Sequence, residues 1–425
     1  MHTPGSDLLL EHTIDGLLER LPQHMPNSPY SDFFSWALTD AHFLRDSWLE
    51  TIGLPKDIAF VRAVYAPLQD DDIWDQLVLQ SIPVTIYRVY QRAIDQLFNG
   101  LADHAQRVAS HDLRLNILRA YHQAVSTRLK GTYSSPQALL ASVRPMASRL
   151  SLIEIYRENA TFRDILANYL RRNPGSGSLD DLARSLWVYL IAAMEACFDV
   201  HTRAELTRAH NGLPFFARRL ERLESILDDR PTTMDTHLLV HGEALLDAAT
   251  VRYLIGELLE VLYGGDTAFP VALNETLATT LRVVSVRMRL LQDIGNELLI
   301  QSPDERRAMI QDLRQNSGNV AQFAELLQVA SEEYRYALQP VAAALQNGSF
   351  NVLLHHLSDQ RTVGNALSTL DERLAYFARM HTTTVKRLQG LLDQIAQQMN
   401  DDLLCQVIVH SLAYFESDDT VAHSS

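Results

Sequence analysis

Residues 241–265 read HGEALLDAATVRYLIGELLEVLYGG, and residues 275–297 read ETLATTLRVVSVRMRLLQDIGNE. Apolar residues recur at three and four positions through both stretches, which predicts two long helices in succession. The second ends in two acids four apart, Asp293 and Glu297. A helix turns about 100° per residue, so acids at i and i+4 are expected on one face. Two carboxylates on one face of an otherwise apolar helix suit a hard cation such as Mg²⁺.

The same periodicity extends over nearly the whole chain, and strand-like alternation is scarce. The expectation is an all-α fold. Segments such as LWVYLIAAMEACF (186–198) and LRVVSVRMRLL (281–291) are apolar on more than one face, so they belong at the centre of a large helical bundle. Such a bundle can enclose an apolar cavity. Turn chemistry separates the helices, as in NPGSGS at 173–178 and NG at 347–348. The NPGSGS stretch is the strongest candidate boundary. It gives an N-terminal helical region 1–172, a bundle region 179–415 and a frayed tail 416–425, with one continuous domain as the alternative. Ser178 and Ser302 carry acids within the next three residues, which marks helix starts.

The chain has 425 residues, 47% of them hydrophobic, enough for a large core. Its formal net charge of −15 argues against non-specific nucleic-acid binding, since a polyanion is repelled. Cys197 and Cys405 are the only cysteines, so neither a disulfide framework nor a thiolate zinc site is expected. No uninterrupted apolar run reaches membrane-spanning length, and the N-terminus lacks a basic signal region. A cytoplasmic protein without a transmembrane segment is expected, its oligomeric state left open.

A second acidic cluster, Asp70-Asp71-Asp72-Ile73-Trp74-Asp75, lies far upstream. The structural alternative for it is a solvated helix start after Pro67, where acids favour the helix dipole. Rival acid pairs are Glu195 with Asp199 and Glu154 with Glu158, while Asp228-Asp229 with Asp235 reads as a loop. His237 and His241 stand one helical turn apart near Asp235 and Glu243, a spacing that suits zinc or iron. Partner Glu-x-x-His pairs are lacking: Glu11-His12 and His355-His356 do not supply one. No nucleotide-binding glycine loop, serine elbow or kinase signature is present.

The segment from Tyr253 to Glu297 resembles the squalene/phytoene synthase family of class I isoprenoid synthases. Gly256-Glu-Leu-Leu-Glu-Val-Leu-Tyr263-Gly264 keeps the spacing of one family helix, and Arg289-Leu-Leu-Gln292-Asp293-Ile-Gly-Asn296-Glu297 lies over a second, acidic one. The chain departs from that pattern at Arg289, Gln292 and Asn296. Asp71-Asp72-Ile-Trp-Asp75 fits the family's D-D-x-x-D form, although more than 200 positions separate it from Asp293, so an inserted segment or a different pairing is required.

The resemblance implies an isoprenoid-synthase bundle and Mg²⁺-dependent ionisation of a prenyl diphosphate. Its cation would be cyclised or coupled in the cavity. Asp71, Asp72, Asp75, Asp293 and Glu297 would hold the metal. Asp293, Asp71 and Arg289 would be catalytic. Arg252, Tyr253, Gly256, Arg287, Asn296, Arg306, Arg335 and Tyr336 would bind substrate. Trp74, Trp187, Tyr189, Tyr253 and Phe269 are candidates to line the cavity. Two alternatives stay open: a non-catalytic helical scaffold or partner-binding protein, and a helical metal oxygenase of di-iron type.

Overall fold

The computed structural model describes residues 4–99, 104–131, 135–152, 160–206, 215–227, 233–263, 271–317, 323–328, 330–347, 351–354, 362–400 and 402–416. Every regular element among them is a helix, as the periodicity predicts. In chain order the main helices are α1 (Pro4–His24), α2 (Pro29–Thr39), α3 (Arg45–Thr51), α4 (Leu54–Tyr65), α5 (Asp71–Asn99), α6 (His104–Leu129), α7 (Ala160–Arg172), α8 (Leu186–Leu206) and α9 (Phe215–Leu227). There follow α10 (Met234–Ala244), α11 (Leu246–Tyr263), α12 (Val271–Ile294), α13 (Asn296–Ile300), α14 (Pro303–Asn316), α15 (Glu332–Asn347), α16 (Val363–Met399) and α17 (Leu403–Glu416). No helix among the described residues is long and apolar enough to cross a membrane.

The chain divides into two compact units. The first holds Met1–Asp228 and Thr250–Phe269, and the second holds Asp229–Ala249 and Pro270–Ser425. The stretch 173–178, expected as a boundary, lies inside the first unit. Ser178 there opens a short helix through a capping box with Asp181, and α8 then packs back on α5 and α6. Burying α8 against helices that precede the glycine-rich turn ties both sides of it into one core. Glu416 closes α17, and the tail beyond it is outside the described residues.

In the first unit α8 lies along α5, with α1 against both and α6 against α8. Leu190, Ile191, Ala192, Ala193 and Met194 are all buried, so α8 is central, as its all-round apolar sequence requires. An aromatic cluster including Phe33, Phe34, Trp48, Tyr90 and Tyr189 fills the space beside it, largely edge to face. From Thr250 onward α11 belongs to this unit. Tyr65 Oη donates to the Leu254 carbonyl at 2.9 Å, and Arg203 grips the buried Glu257 carboxylate through two hydrogen bonds.

In the second unit α12 is the hub, touching α10, α15, α16 and α17. The buried stripe of α16 runs Leu367, Leu370, Leu374, Phe377, His381, Thr384, Leu388. Its alternating three- and four-residue steps are those of a coiled-coil seam. Ser302 caps α14 with Glu305 returning the bond, the capping box expected from the sequence.

Candidate functional site

The acidic end of α12 does not form the continuous face that its spacing predicts. Gly295 takes φ +86° and ψ 150°, so α12 stops at Ile294 and α13 restarts at Asn296. Glycine reaches this backbone region without the Cβ penalty that other residues meet. The break turns the two acids apart: Asp293 is buried and Glu297 is exposed.

Asp293 is committed to local partners. Its Oδ2 accepts Arg289 Nε–H at 2.9 Å and the Val352 backbone N–H at 2.7 Å. Asn351 Nδ2 donates to the Asp293 carbonyl at 2.6 Å, while its Oδ1 accepts the N–H groups of Leu353 and Leu354. Burial raises the Asp293 pKa above the usual carboxylate value, partly offset by Arg289 and the Val352 amide. Gln292 donates to Asp247 at 2.6 Å, so the end of α12 is fastened on that side as well.

The upstream cluster starts α5. Asp70 Oδ1 accepts the N–H groups of Asp72 and Ile73, an N-terminal cap, and Asp71 and Asp72 lie in the first turn. Asp71, Asp72 and Asp75 are all exposed. Trp74 packs edge-on against Tyr65.

The remaining expected ligands have their own surroundings. Tyr253 is buried and donates to the Gln80 carbonyl at 2.9 Å, and Arg252 and Gly256 lie in the same buried stretch of α11. Arg287 pairs with Glu416. Arg306 donates to the Gln301 carbonyl at 2.6 Å and Arg335 to the Ala330 carbonyl at 3.5 Å. Asn296 is half-buried at the start of α13, and Tyr336 is 47% exposed.

Of the rival groups, Glu195 pairs with Arg128, Asp199 with His24 and Asp235 with Tyr376. The His237 and His241 rings lie 4.3 Å apart, centroid to centroid. Glu154, Glu158, Asp228, Asp229, Phe269, His355 and His356 lie outside the described residues. Among the described residues no group of three or more His, Cys, Asp or Glu side chains is placed to hold a metal ion. The two acids expected to share a metal therefore differ: Asp293 is buried with two donors on its Oδ2, and Glu297 is exposed beyond the break.

A polar cluster in the first unit escapes the sequence reading. Buried Arg219 donates to Tyr87 Oη at 2.9 Å and to Asp95 at 3.3 Å. Gln91 donates to Asp95 at 2.8 Å and accepts from Tyr121 Oη at 3.2 Å. Burial raises the Cys197 thiol to about 12, so it is an inert thiol. His122 is 5% exposed, and burial together with Arg219 lowers its pKa to about 3. Its Nδ1 has no hydrogen-bond partner.

His122 also floors a groove of about 390 Å³ between α6 and α9, lined further by Arg119, Gln123, Ser126, Thr127, Lys130, Glu224 and Leu227. The sequence signal for it is the recurrence of polar residues at three and four positions along α6, from Arg119 to Lys130. No family model, curated protein or solved structure significantly matches this chain.

Proposed function

We propose that this chain is a non-catalytic helical scaffold or partner-binding protein, in which the acids of the 241–297 region join helices. The observation that carries this reading is the Asp293 carboxylate, which accepts from Arg289 and from the Val352 amide. A carboxylate that closes a turn 59 positions away in the chain acts as a fastening within the second unit. Exposed Asp71 and Asp72 support the same reading, as a solvated first helical turn aligned with the dipole, and Asp75 is exposed one turn further on.

The test is incubation of the full chain with Mg²⁺ and farnesyl or geranylgeranyl diphosphate, scored by diphosphate release. The expected result is release no faster than in buffer alone. Release that depends on the protein and is abolished by Asp293→Asn would overturn the proposal and restore the isoprenoid synthase reading.

A further inference from the structure

Lysine is scarce in this chain and occurs at positions 56, 130 and 386. Lys130 and Lys386 are exposed, whereas Lys56 is half-buried at the start of α4. Its setting lies within the first unit and is independent of the scaffold reading. Gly53 caps α4 with φ +73° and offers the first turn no side-chain acceptor. Arg92 of α5 lies over that turn: a Cβ on Gly53 would stand 2.3 Å from Arg92 Nε. Arg92 Nη2 donates to the Gly53 carbonyl at 3.5 Å and to Asp57 Oδ1 at 2.6 Å. Arg88 Nε donates to the same Oδ1 at 2.7 Å. Lys56 is three residues after Gly53, so it shares the helix face that Arg92 covers.

Two guanidinium groups thus share the buried Asp57 carboxylate, and this cluster is cationic before Lys56 is counted. The positive end of the α4 dipole adds to the excess, since Lys56 is the third residue of the helix. Burial lowers the Lys56 pKa and Arg92 lowers it further, against the opposing Glu50 and Asp57. Glu50 is exposed, where water and salt screen it. An ammonium is the wrong charge in this place, and an unprotonated lysine amine is a nucleophile.

We propose that Lys56 is a site of reversible carbamylation by carbon dioxide. The unprotonated Nζ attacks the carbon, a C–N bond forms as one C–O π pair moves onto oxygen, and Nζ releases a proton to water. The product carries one negative charge where the amine carried none. That charge offsets the cation left over by Arg88, Arg92 and Asp57, and it stands at the helix end that favours an anion. An acetyl group would leave the excess uncompensated. Carbon dioxide is also small enough to reach a half-buried amine.

The experiment is carbon-13 NMR of the full chain in labelled bicarbonate at mildly alkaline pH, with adducts trapped by triethyloxonium and located by mass spectrometry. A carbamate resonance is expected, with trapping at Lys56 about tenfold above that at Lys130 or Lys386. Lys56→Gln should remove the resonance and keep the far-UV circular dichroism. Glu50→Gln, at an exposed position, should raise occupancy about twofold by removing a charge that favours the ammonium. No adduct at Lys56, or equal trapping at the three lysines, overturns the proposal. A resonance that persists in Lys56→Gln overturns the location, and occupancy that does not rise in Glu50→Gln overturns the electrostatic account.

Discussion

Asp293 accepts the backbone N–H of Val352 at 2.7 Å, and through it α12 holds the turn 351–354 in place. That turn is further organised by Asn351, whose amide binds the Asp293 carbonyl and two amides of its own turn. Asp293→Ala removes the acceptor and leaves the partly buried Arg289 without this partner, so a loss of about 3 kcal/mol is expected. Asp293→Asn keeps an acceptor for Val352 and should lose less than half of that. All four tryptophans, at 36, 48, 74 and 187, lie in the first unit, so fluorescence does not report the change. Amide hydrogen exchange at Val352 does, and full protection retained in Asp293→Ala would refute the assignment.

Glu297 and the upstream aspartates should behave in the opposite way. Glu297, Asp71 and Asp75 are exposed, so Glu297→Gln and Asp75→Asn are expected within about 0.5 kcal/mol of the parent in urea unfolding. Asp71→Asn should lose a few tenths more, because an acid in the first turn of α5 favours the dipole. A loss above about 2 kcal/mol at any of these positions would mean that it has a buried partner in solution.

The contrast between Asp293 and Glu297 shows what was legible in the sequence. Helical structure at 241–297 was readable because its apolar residues keep a 3.6 period for many turns, but the first helix expected there is divided at Leu245, whose extended backbone (ψ 135°) ends α10 at Ala244 and starts α11 at Leu246. The burial of α8 and the caps at Ser178 and Ser302 were readable for equally local reasons. The break at Gly295 was not, because a single glycine costs a helix only about 1 kcal/mol and tertiary contacts decide whether it bends. Those contacts come from Asn351 and Val352, more than 50 positions away, which no local pattern reaches. The Arg219 cluster and the pairing of α6 with α9 are non-local in the same sense. The exchange of α11 between units also depends on contacts such as Tyr65 with Leu254, 189 positions apart.

Gly242 allows α10 to approach α12 closely. A Cβ there would stand 2.8 Å from the Ser285 carbonyl oxygen and 3.0 Å from its carbonyl carbon. Both are main-chain atoms of a packed helix and cannot swing aside. Gly242→Ala should therefore separate the two helices and cost about 2 kcal/mol, although alanine is the better helix former. Exchange protection of α10 amides is the measurement. Increased protection would mean that helix propensity outweighs the clash.

Two buried histidines set an acid limit for the two units. His381 on α16 is 6% exposed, and burial, reinforced by Arg287 on α12, lowers its pKa from 6.5 to about 4. His122 in the first unit is lowered to about 3 by burial and Arg219. Between the ordinary histidine value and these folded values the unfolded chain binds more protons than the folded one. Each histidine therefore stabilises its unit fully above pH ~6.5, and that contribution is lost as the pH falls toward 4 for His381 and toward 3 for His122. His381→Gln carries no such proton. Exchange protection of α16 should fall between pH 7 and 5 in the parent and fall less in the variant. Tryptophan-monitored unfolding of the first unit should keep the same pH slope in both proteins, since His122 is untouched. Equal slopes for α16 in parent and variant would show that His381 is already solvated in the native state.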